Sequence, residues 1–335
     1  MDRSGFESMR AEYKRHAARK VAFIAACIVF MAAALAVSVT IGGFEISAVD
    51  VYKTIYNHIT GAVPEPQSAD YYSDYIIWDV RLPRVFFAIV AGVGLAVSGV
   101  AMQSLMKNPL AEPYTTGVSS GAYLGVSLAM AAGFTLASEA VGMAGNAFVF
   151  AMIPVALMIL FSSRLGDSVA TIILIGTALS YMFNAFSMLI LISSDAETIA
   201  DVYKWQVGTI NSIGWDSLTM VAAVTAVCSV AIGLLSKKLN IMAMGENNAK
   251  SLGLNVRRIR IICLTVMALM VAFIISYSGI IGFVGLICPH MIRLVIGSDN
   301  RFVIPAAAAF GAAFLLFADT AAKYLSSLDT IPVGV

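Results

Sequence analysis

Two side chains near the end of the chain are the best candidates for chemistry inside an apolar segment. Asp319 is the only clear carboxylate within an apolar run of the sequence. Lys323 follows it four residues later, which is one helical turn. This spacing favours a local ion pair near a helix end, although a carboxylate inside a membrane could also serve a proton relay. His290 follows Pro289 and has no second His or Cys at metal-ligand spacing, so it is interpreted as structural.

The sequence lacks the short motifs that bind nucleotides or build hydrolytic centres. It contains no GxxxxGK[ST], no GxGxxG ahead of a βαβ unit and no HExxH. The four cysteines lie far apart in apolar runs, so neither a CxxC redox pair nor a zinc site is expected. We therefore predict no catalytic residue, no metal and no cofactor in this chain. If transport is driven by ATP and Mg²⁺, a separate chain must bind them.

The composition indicates the environment in which these residues lie. The chain has 335 residues, of which 59% are hydrophobic and 12% charged, and its mean hydropathy is +0.86. Soluble proteins carry about 25% charged residues. The composition excludes an ordinary water-soluble enzyme, a disordered chain and a disulfide scaffold. The net charge of +1 gives no indication of nucleic-acid binding.

Long apolar runs predict an all-α polytopic membrane protein. Residues 1–20 form a polar, basic tail, and residues 21–335 form a single transmembrane domain. A crossing helix needs about 20 apolar residues. Nine spans are predicted, at 21–41, 85–106, 114–134, 143–163, 168–192, 217–235, 259–278, 280–296 and 303–325.

The distribution of lysine and arginine predicts the orientation of these spans. With the N-terminus in the cytoplasm, most basic residues fall on the inner side, including those of the loop 236–258. The outer loops 42–80 and 193–216 then carry few basic residues, and the first of them is acidic. We therefore expect a multi-pass protein of the inner (cytoplasmic) cell membrane, in contact with the lipid bilayer and with a cytoplasmic N-terminus.

Small residues at helical spacing predict close helix packing. Gly117, Gly121 and Gly125 form two consecutive GxxxG steps, and Ala307 and Gly311 form a similar pair. Such residues let helix backbones approach one another, within one subunit or between subunits.

Three polar stretches outside the spans carry further information. Arg81-Leu82-Pro83-Arg84 lies at the outer end of the second span and could anchor to headgroups or bind an acidic partner. Residues 107–113 form a short turn bracketed by two prolines. In the inner loop, residues 247–252 are predicted to form a short polar helix that ends at Gly253. Such a helix would suit the docking of a motor subunit.

These stretches together resemble a known family. RLPR, KNPLAEP, GENNAKSLGLNVRRIR, IIGFVGLICPHMIRLVIGSDNR and FADTAAK…IPVGV occur in this order between about residue 78 and residue 335. They resemble the FecCD-type permease subunits of ABC (ATP-binding-cassette) importers for iron–siderophore complexes, haem or cobalamin. The resemblance implies a ten-span (type II) bundle that moves its cargo by alternating access. Its implied partners are a second permease copy, two ATPase subunits and an extracytoplasmic substrate-binding protein.

The resemblance also implies roles for individual residues. The ATPase-coupling loop would comprise Gly245, Glu246, Ala249, Lys250 and Gly253. Arg81, Arg84 and Lys323 would dock the binding protein, with lysine where arginine is more usual. Asn108 and Leu110 would form a cytoplasmic gate. Tyr181, Asn184 and Ser187 would line the translocation path.

Some alternatives stay open. IPVGV resembles the opening of a tenth span, which is missing here, and an incomplete sequence is the expected explanation. An ion-gradient-driven secondary transporter is the main alternative, although the scarcity of intramembrane charge argues against it. A non-transporting membrane assembly protein is a further alternative. The residues do not identify the cargo.

Overall fold

In the structure, a computed structural model, all regular secondary structure of the described residues is helical. These are residues 3–62, 64–65, 68, 70–136, 142–166, 168–211, 213–325 and 332–334. The helices are α1 (Arg3–Thr40), α2 (Ala48–Thr60), α3 (Tyr71–Tyr75), α4 (Leu82–Met106), α5 (Val118–Ala131), α6 (Gly142–Leu165), α7 (Val169–Leu191), α8 (Ala196–Val207), α9 (Trp215–Leu234), α10 (Ser236–Ala243), α11 (Glu246–Ser251), α12 (Val256–Ser278), α13 (Val284–Ile296) and α14 (Asn300–Leu325). A π-helical segment, Ile76–Arg81, joins α3 to α4.

The core is built around α4, which is buried along most of its length. It packs against α14, α13, α9 and α12. Gly92 on α4 meets Gly311 on α14 so closely that a Cβ on Gly92 would overlap the Gly311 carbonyl. Gly121 on α5 approaches the Phe150 carbonyl of α6 in the same way. The predicted small-residue packing is therefore confirmed, and both contacts lie within one chain.

Seven of the predicted spans are long and apolar enough to cross a membrane. They correspond to α1, the α3–α4 stretch Tyr71–Met106, α6, α7, α9, α12 and α14. The other two apolar helices are short, since α5 has 14 residues and α13 has 13. A left-handed Gly117 precedes α5, and Phe283 with a positive φ precedes α13, so irregular backbone takes part of each predicted span. The ten-span bundle stays a prediction.

The predicted loops contain more helix than the sequence indicated. The predicted outer loop 42–80 contains α2 and α3, and the predicted outer loop 193–216 contains α8. The described part of the tail 1–20 continues into the first span as one helix, α1. Of the predicted opening of a tenth span, 331–335, the structure describes residues 332–334, and the other two lie outside the described residues. Within it, the Gly334 N–H donates to the Gly208 carbonyl at 3.2 Å.

Helix α2 is fixed to α3 and to the π-helical segment by a hydrogen bond and a ring stack. His58 of α2 stacks on Trp78 with ring centroids 3.9 Å apart. Its Nε2 lies 2.9 Å from the buried Asp74 carboxylate. The Trp215 indole N–H donates to the Trp78 carbonyl at 2.9 Å, which connects this region to α9.

Candidate functional site

The clearest candidate site is the coupling segment, residues 236–254, which contains α10 and α11. Gly245 separates the two helices with φ +123° and ψ 148°, a conformation essentially confined to glycine. Gly253 has φ +75°, and its N–H donates to the Lys250 carbonyl at 2.9 Å. The next N–H, of Leu254, donates to the Ala249 carbonyl at 3.0 Å. This glycine C-cap confirms the predicted short helix ending at Gly253.

Two basic side chains hold Glu246, the first residue of α11. Its carboxylate lies 3.1 Å from the Lys250 ammonium, one turn along the same helix. On the other side it lies 3.4 Å from the guanidinium of Arg260, a buried residue of α12. Partial burial raises the pKa of Glu246, but the Lys250 hydrogen bond and the charges of Arg260 and Lys250 together lower it below its usual value. Glu246 therefore stays ionised and joins α11 to the start of α12.

The surface around α11 is uneven and polar. Ala249 of α11 is completely buried, so this face of α11 packs against the rest of the protein. A cleft of about 400 Å³ opens beside it. Its lining residues are Ser168, Glu246, Lys250, Leu254, Asn255, Val256 and Arg257. This surface can receive side chains of a second protein.

The loop of residues 107–110, which contains the predicted gate residues and is here called the gate loop, lies beside the coupling segment. Lys107 ends α4 in a left-handed conformation. The Asn108 Oδ1 accepts the Leu110 N–H at 2.9 Å, which closes a short Asx turn, and the Leu110 side chain is 66% exposed. The Lys107 ammonium lies against Gly245, since a Cβ built there would be 3.4 Å from it. The structure thus brings the predicted gate and the predicted coupling loop together.

The three predicted docking residues are buried. Arg81 donates to the carbonyls of Val39 and Thr40 at 3.3 Å each and to that of Phe44 at 2.6 Å. These carbonyls lie at and just beyond the end of α1, where helix carbonyls have no partner within the helix. Arg81 therefore caps the C-terminal end of α1 and holds the residues that follow it. Its role in docking stays a prediction.

Arg84, Asp319 and Lys323 form one cluster, here called the buried triad. Arg84 donates from Nε and Nη2 to Asp319 Oδ1 at 3.0 and 2.9 Å. The Lys323 ammonium lies 2.8 Å from Asp319 Oδ2. The predicted Asp319–Lys323 pair is confirmed, but Asp319 is completely buried and also pairs with Arg84. Arg84 lies 235 positions from Asp319, so spacing along the sequence could not predict this second partner.

The predicted path residues of α7 do not share one environment. Tyr181 is 73% exposed, and Asn184 is exposed one turn further along. Ser187 is buried, and its hydroxyl donates to the Phe183 carbonyl at 3.0 Å. Ser187 therefore faces the neighbouring helices in this chain, whereas Tyr181 and Asn184 lie on an open face. The assignment of Ser187 to the translocation path stays a prediction, and its burial separates it from Tyr181 and Asn184 in this chain.

The open face of α7 is strongly apolar. Leu174, Met188 and Ile192 are each more than 70% exposed. Among the described residues, no three His, Cys, Asp or Glu side chains cluster closely enough to hold a metal ion. The four cysteines are free and buried. What the described residues offer is thus an exposed apolar helix face, a short turn at residues 107–110 and a short C-capped surface helix, α11.

Comparisons with known proteins identify the family of this chain. The profile of the FecCD transport family matches residues 28–335. The hemin transport system permease HmuU of Yersinia pestis is 37% identical over 77% of this chain and 78% of its own length. The cobalamin import system permease BtuC of Halobacterium salinarum is 32% identical over 95% of this chain and 93% of its own.

A solved structure supports the same assignment. It is titled as an inward-facing conformation of a metal-chelate type ABC transporter and superimposes with a TM-score of 0.80. The two sequences are 31% identical, and the match covers 93% of each chain. With the family profile matching most of the sequence, the chain belongs to the FecCD transport family.

Proposed function

We propose that this permease subunit of an ABC importer moves a metal chelate or a tetrapyrrole into the cytoplasm by alternating access. The observation that carries the proposal is the placement of α11 beside the gate loop. This short, C-capped and partly charged helix lies at the surface. The Lys107 side chain lies against Gly245, the residue that precedes it. A partner that pushes on α11 therefore acts close to Asn108 and Leu110.

ATP and Mg²⁺ belong to two separate ATPase subunits in this proposal. ATP binding draws these subunits together, and the coupling segments move with them. The distribution of basic residues supports a cytoplasmic position for this side of the bundle and for the N-terminus. The apolar helices support a position in the cell membrane, surrounded by the lipid bilayer.

A second copy of the permease covers the open face of α7. The exposed side chains Leu174, Met188 and Ile192 support a packed interface there. Tyr181 and Asn184 lie on exposed parts of the same helix and would face the path between the two copies. They are the polar positions at which an α7 side chain could meet the cargo.

An extracytoplasmic binding protein delivers the cargo at the opposite end. The buried triad contains two cations and one carboxylate, so its net charge favours an acidic partner. Because Arg81, Arg84 and Lys323 are buried, their contact with such a partner requires the outer helix ends to rearrange. Siderophore, haem and cobalamin remain the cargo candidates, in line with the names of the relatives.

Transport by the reconstituted complex tests the proposal. The permease and its ATPase are placed in proteoliposomes with the binding protein, and ferric hydroxamate, haem and cobalamin are supplied in parallel. Uptake of one of them that requires ATP and survives an ionophore is the expected result. Uptake that persists without ATP and collapses with the ionophore would favour an ion-gradient-driven transporter. No ATPase association and no uptake would favour a non-transporting assembly protein.

A further inference from the structure

Four helices meet at a buried amide near the coupling segment. Asn300 is the first residue of α14, and it is completely buried. Its Nδ2 donates to the Ser104 hydroxyl of α4 at 3.1 Å. Its Oδ1 accepts from Arg293 Nη2 of α13 at 3.1 Å. One side chain thus connects α14 to both α4 and α13.

Arg293 strengthens the connection between α13 and α4. Its Nη2 also donates to the Ser104 hydroxyl at 2.9 Å and to the Val100 carbonyl at 3.2 Å. Gln103, next to Ser104, donates from Nε2 to the Leu286 carbonyl of α13 at 3.1 Å. These contacts lie within the last two turns of α4, immediately before the gate loop.

Asn240 connects the same point to the coupling segment. It lies on α10, and its Oδ1 accepts the backbone N–H of Asn300 at 2.8 Å. Its Nδ2 donates to Asp299 Oδ1 at 2.8 Å. Arg301 also binds the Asp299 carboxylate, and it holds the pKa of Asp299 well below its usual range. The acceptor that fixes Asn240 therefore remains charged.

The chemistry of these contacts favours transmission of movement over simple packing. Apolar side chains can slide past one another, whereas a buried donor or acceptor that loses its partner destabilises the protein, because it has left water without regaining a hydrogen bond. A displacement of α10 must therefore carry Asn300 with it or break hydrogen bonds in a poorly hydrated site. Asn300 in turn is bonded to Ser104 on α4.

We propose that the amide network, defined as Asn240, Asn300, Ser104 and Arg293, transmits movement of the coupling segment to the gate loop. Its members are positioning residues, since they act through α4 on Asn108 and Leu110. The inference rests on the proposed function, in which an ATPase moves α11. It deepens that function by naming the link between the site of force and the gate.

The test measures gate movement directly and needs no cargo. Leu110→Cys is labelled with a polarity-sensitive fluorophore in the full complex with its ATPase, and ATP plus vanadate is added. The four native cysteines are buried. We compare the fluorescence change and the ATPase rate in otherwise native protein, in Asn300→Ala and in Asn240→Ala. If Asn300→Ala fails to fold, Asn240→Ala alone decides, because it leaves the contacts among Asn300, Ser104 and Arg293 in place.

Asn146→Ala is the matched control. Asn146 is also completely buried, and it holds the Gly125 and Phe134 carbonyls at 3.2 and 2.6 Å. The substitution therefore removes a comparable set of hydrogen bonds, but these bonds join α6 to α5 and to the segment that follows α5, away from the coupling segment. If loss of buried hydrogen bonds alone reduced the fluorescence change at position 110, Asn146→Ala should reduce it as well. The melting temperature of each variant shows whether the destabilisation is comparable.

The expected result is selective. Each network variant assembles with its ATPase and hydrolyses ATP. The fluorescence change at position 110, however, falls about fivefold or more, because typical coupling between two sites corresponds to a factor of at least about five. Asn146→Ala keeps the full change. An undiminished change in both network variants, or an equal loss in Asn146→Ala, would overturn the inference. Absence of ATPase association in the native complex would instead overturn the proposed function, and the inference with it.

Discussion

The Arg84 guanidinium and the Asp319 carboxylate form a hydrogen-bonded ion pair between two helices that are far apart in sequence. Nε and Nη2 of Arg84 lie 3.0 and 2.9 Å from one oxygen of Asp319, and 235 positions separate the two residues. The other oxygen lies 2.8 Å from Lys323. The carboxylate thus compensates two buried cations where α4 and α14 pack together.

Removing this carboxylate should destabilise the protein strongly. Asp319→Asn leaves Arg84 and Lys323 as buried cations without their shared carboxylate, and we expect a loss of about 3–5 kcal/mol in unfolding free energy. Adding Lys323→Met should recover part of this loss. Denaturant titration in mixed micelles measures both effects. Asp201→Asn is the control, because its ion pair with Lys204 is exposed. Equal stability of Asp319→Asn and the native protein would contradict the role of the triad.

The gate loop should depend on the acceptor at position 108. Asn108→Ala removes the oxygen that holds the Leu110 N–H, so hydrogen exchange at that amide should accelerate, and ATP-independent leak of solutes should rise. Asn108→Asp keeps an acceptor oxygen and should behave much more like the native protein. Hydrogen exchange followed by mass spectrometry and a proteoliposome leak assay distinguish the two variants. If they behave alike, the turn does not hold the gate.

The charge of Glu246 should order α11 over a wide pH range. Since its pKa is lowered in the folded protein, the stabilisation is present above the ordinary pKa of glutamate and is lost as the pH falls through the lowered value. Protection of residues 246–252 from hydrogen exchange, corrected for intrinsic rates, should therefore stay constant between about pH 5 and pH 8.

Glu246→Gln should reduce that protection at every pH in this range. The substitution keeps the size of the side chain but removes its charge pairing with Lys250 and Arg260. Glu197→Gln, on an exposed first turn of α8, is the matched control. Protection of α11 that is identical in Glu246→Gln and the native protein would show that the pair with Arg260 does not anchor the helix.

Packing of α5 against α6 should tolerate no side chain at position 121. A Cβ there would overlap the Phe150 carbonyl, so Gly121→Ala must push the helices apart at a cost of about 1–3 kcal/mol. Gly233→Ala, in α9, meets no atom within 4 Å and should be neutral or slightly stabilising. Thermal unfolding in detergent compares the two. A melting temperature of Gly121→Ala equal to that of Gly233→Ala would contradict the close contact.

Features that depend on neighbouring residues could be predicted from the sequence. The helix ending at Gly253 follows from a polar run and a C-capping glycine, and the structure has α11 at Glu246–Ser251. The pairing of Asp319 with Lys323 follows from their i,i+4 spacing. In both cases the determining atoms lie within one or two helical turns, so local geometry suffices.

Features that depend on how helices face one another could not be predicted. The resemblance groups Ser187 with Tyr181 and Asn184, but Ser187 is buried within the chain. Because α7 is largely apolar, one sequence does not indicate which side of the helix faces the rest of the protein. The contacts of Asn240 with Asn300 and of Arg84 with Asp319 join residues that are 60 and 235 positions apart. Isolated polar residues in separate helices do not indicate which partner will meet them.

The most direct test of the central claim is native mass spectrometry of the full-length protein extracted gently from its own membrane. The claim is that this chain is a permease moved by separate ATPases through the coupling segment. We expect a complex of two permease copies with two ATPase subunits, and weakened ATPase retention in Glu246→Lys. A permease that carries no ATPase in repeated mild extractions would contradict the claim.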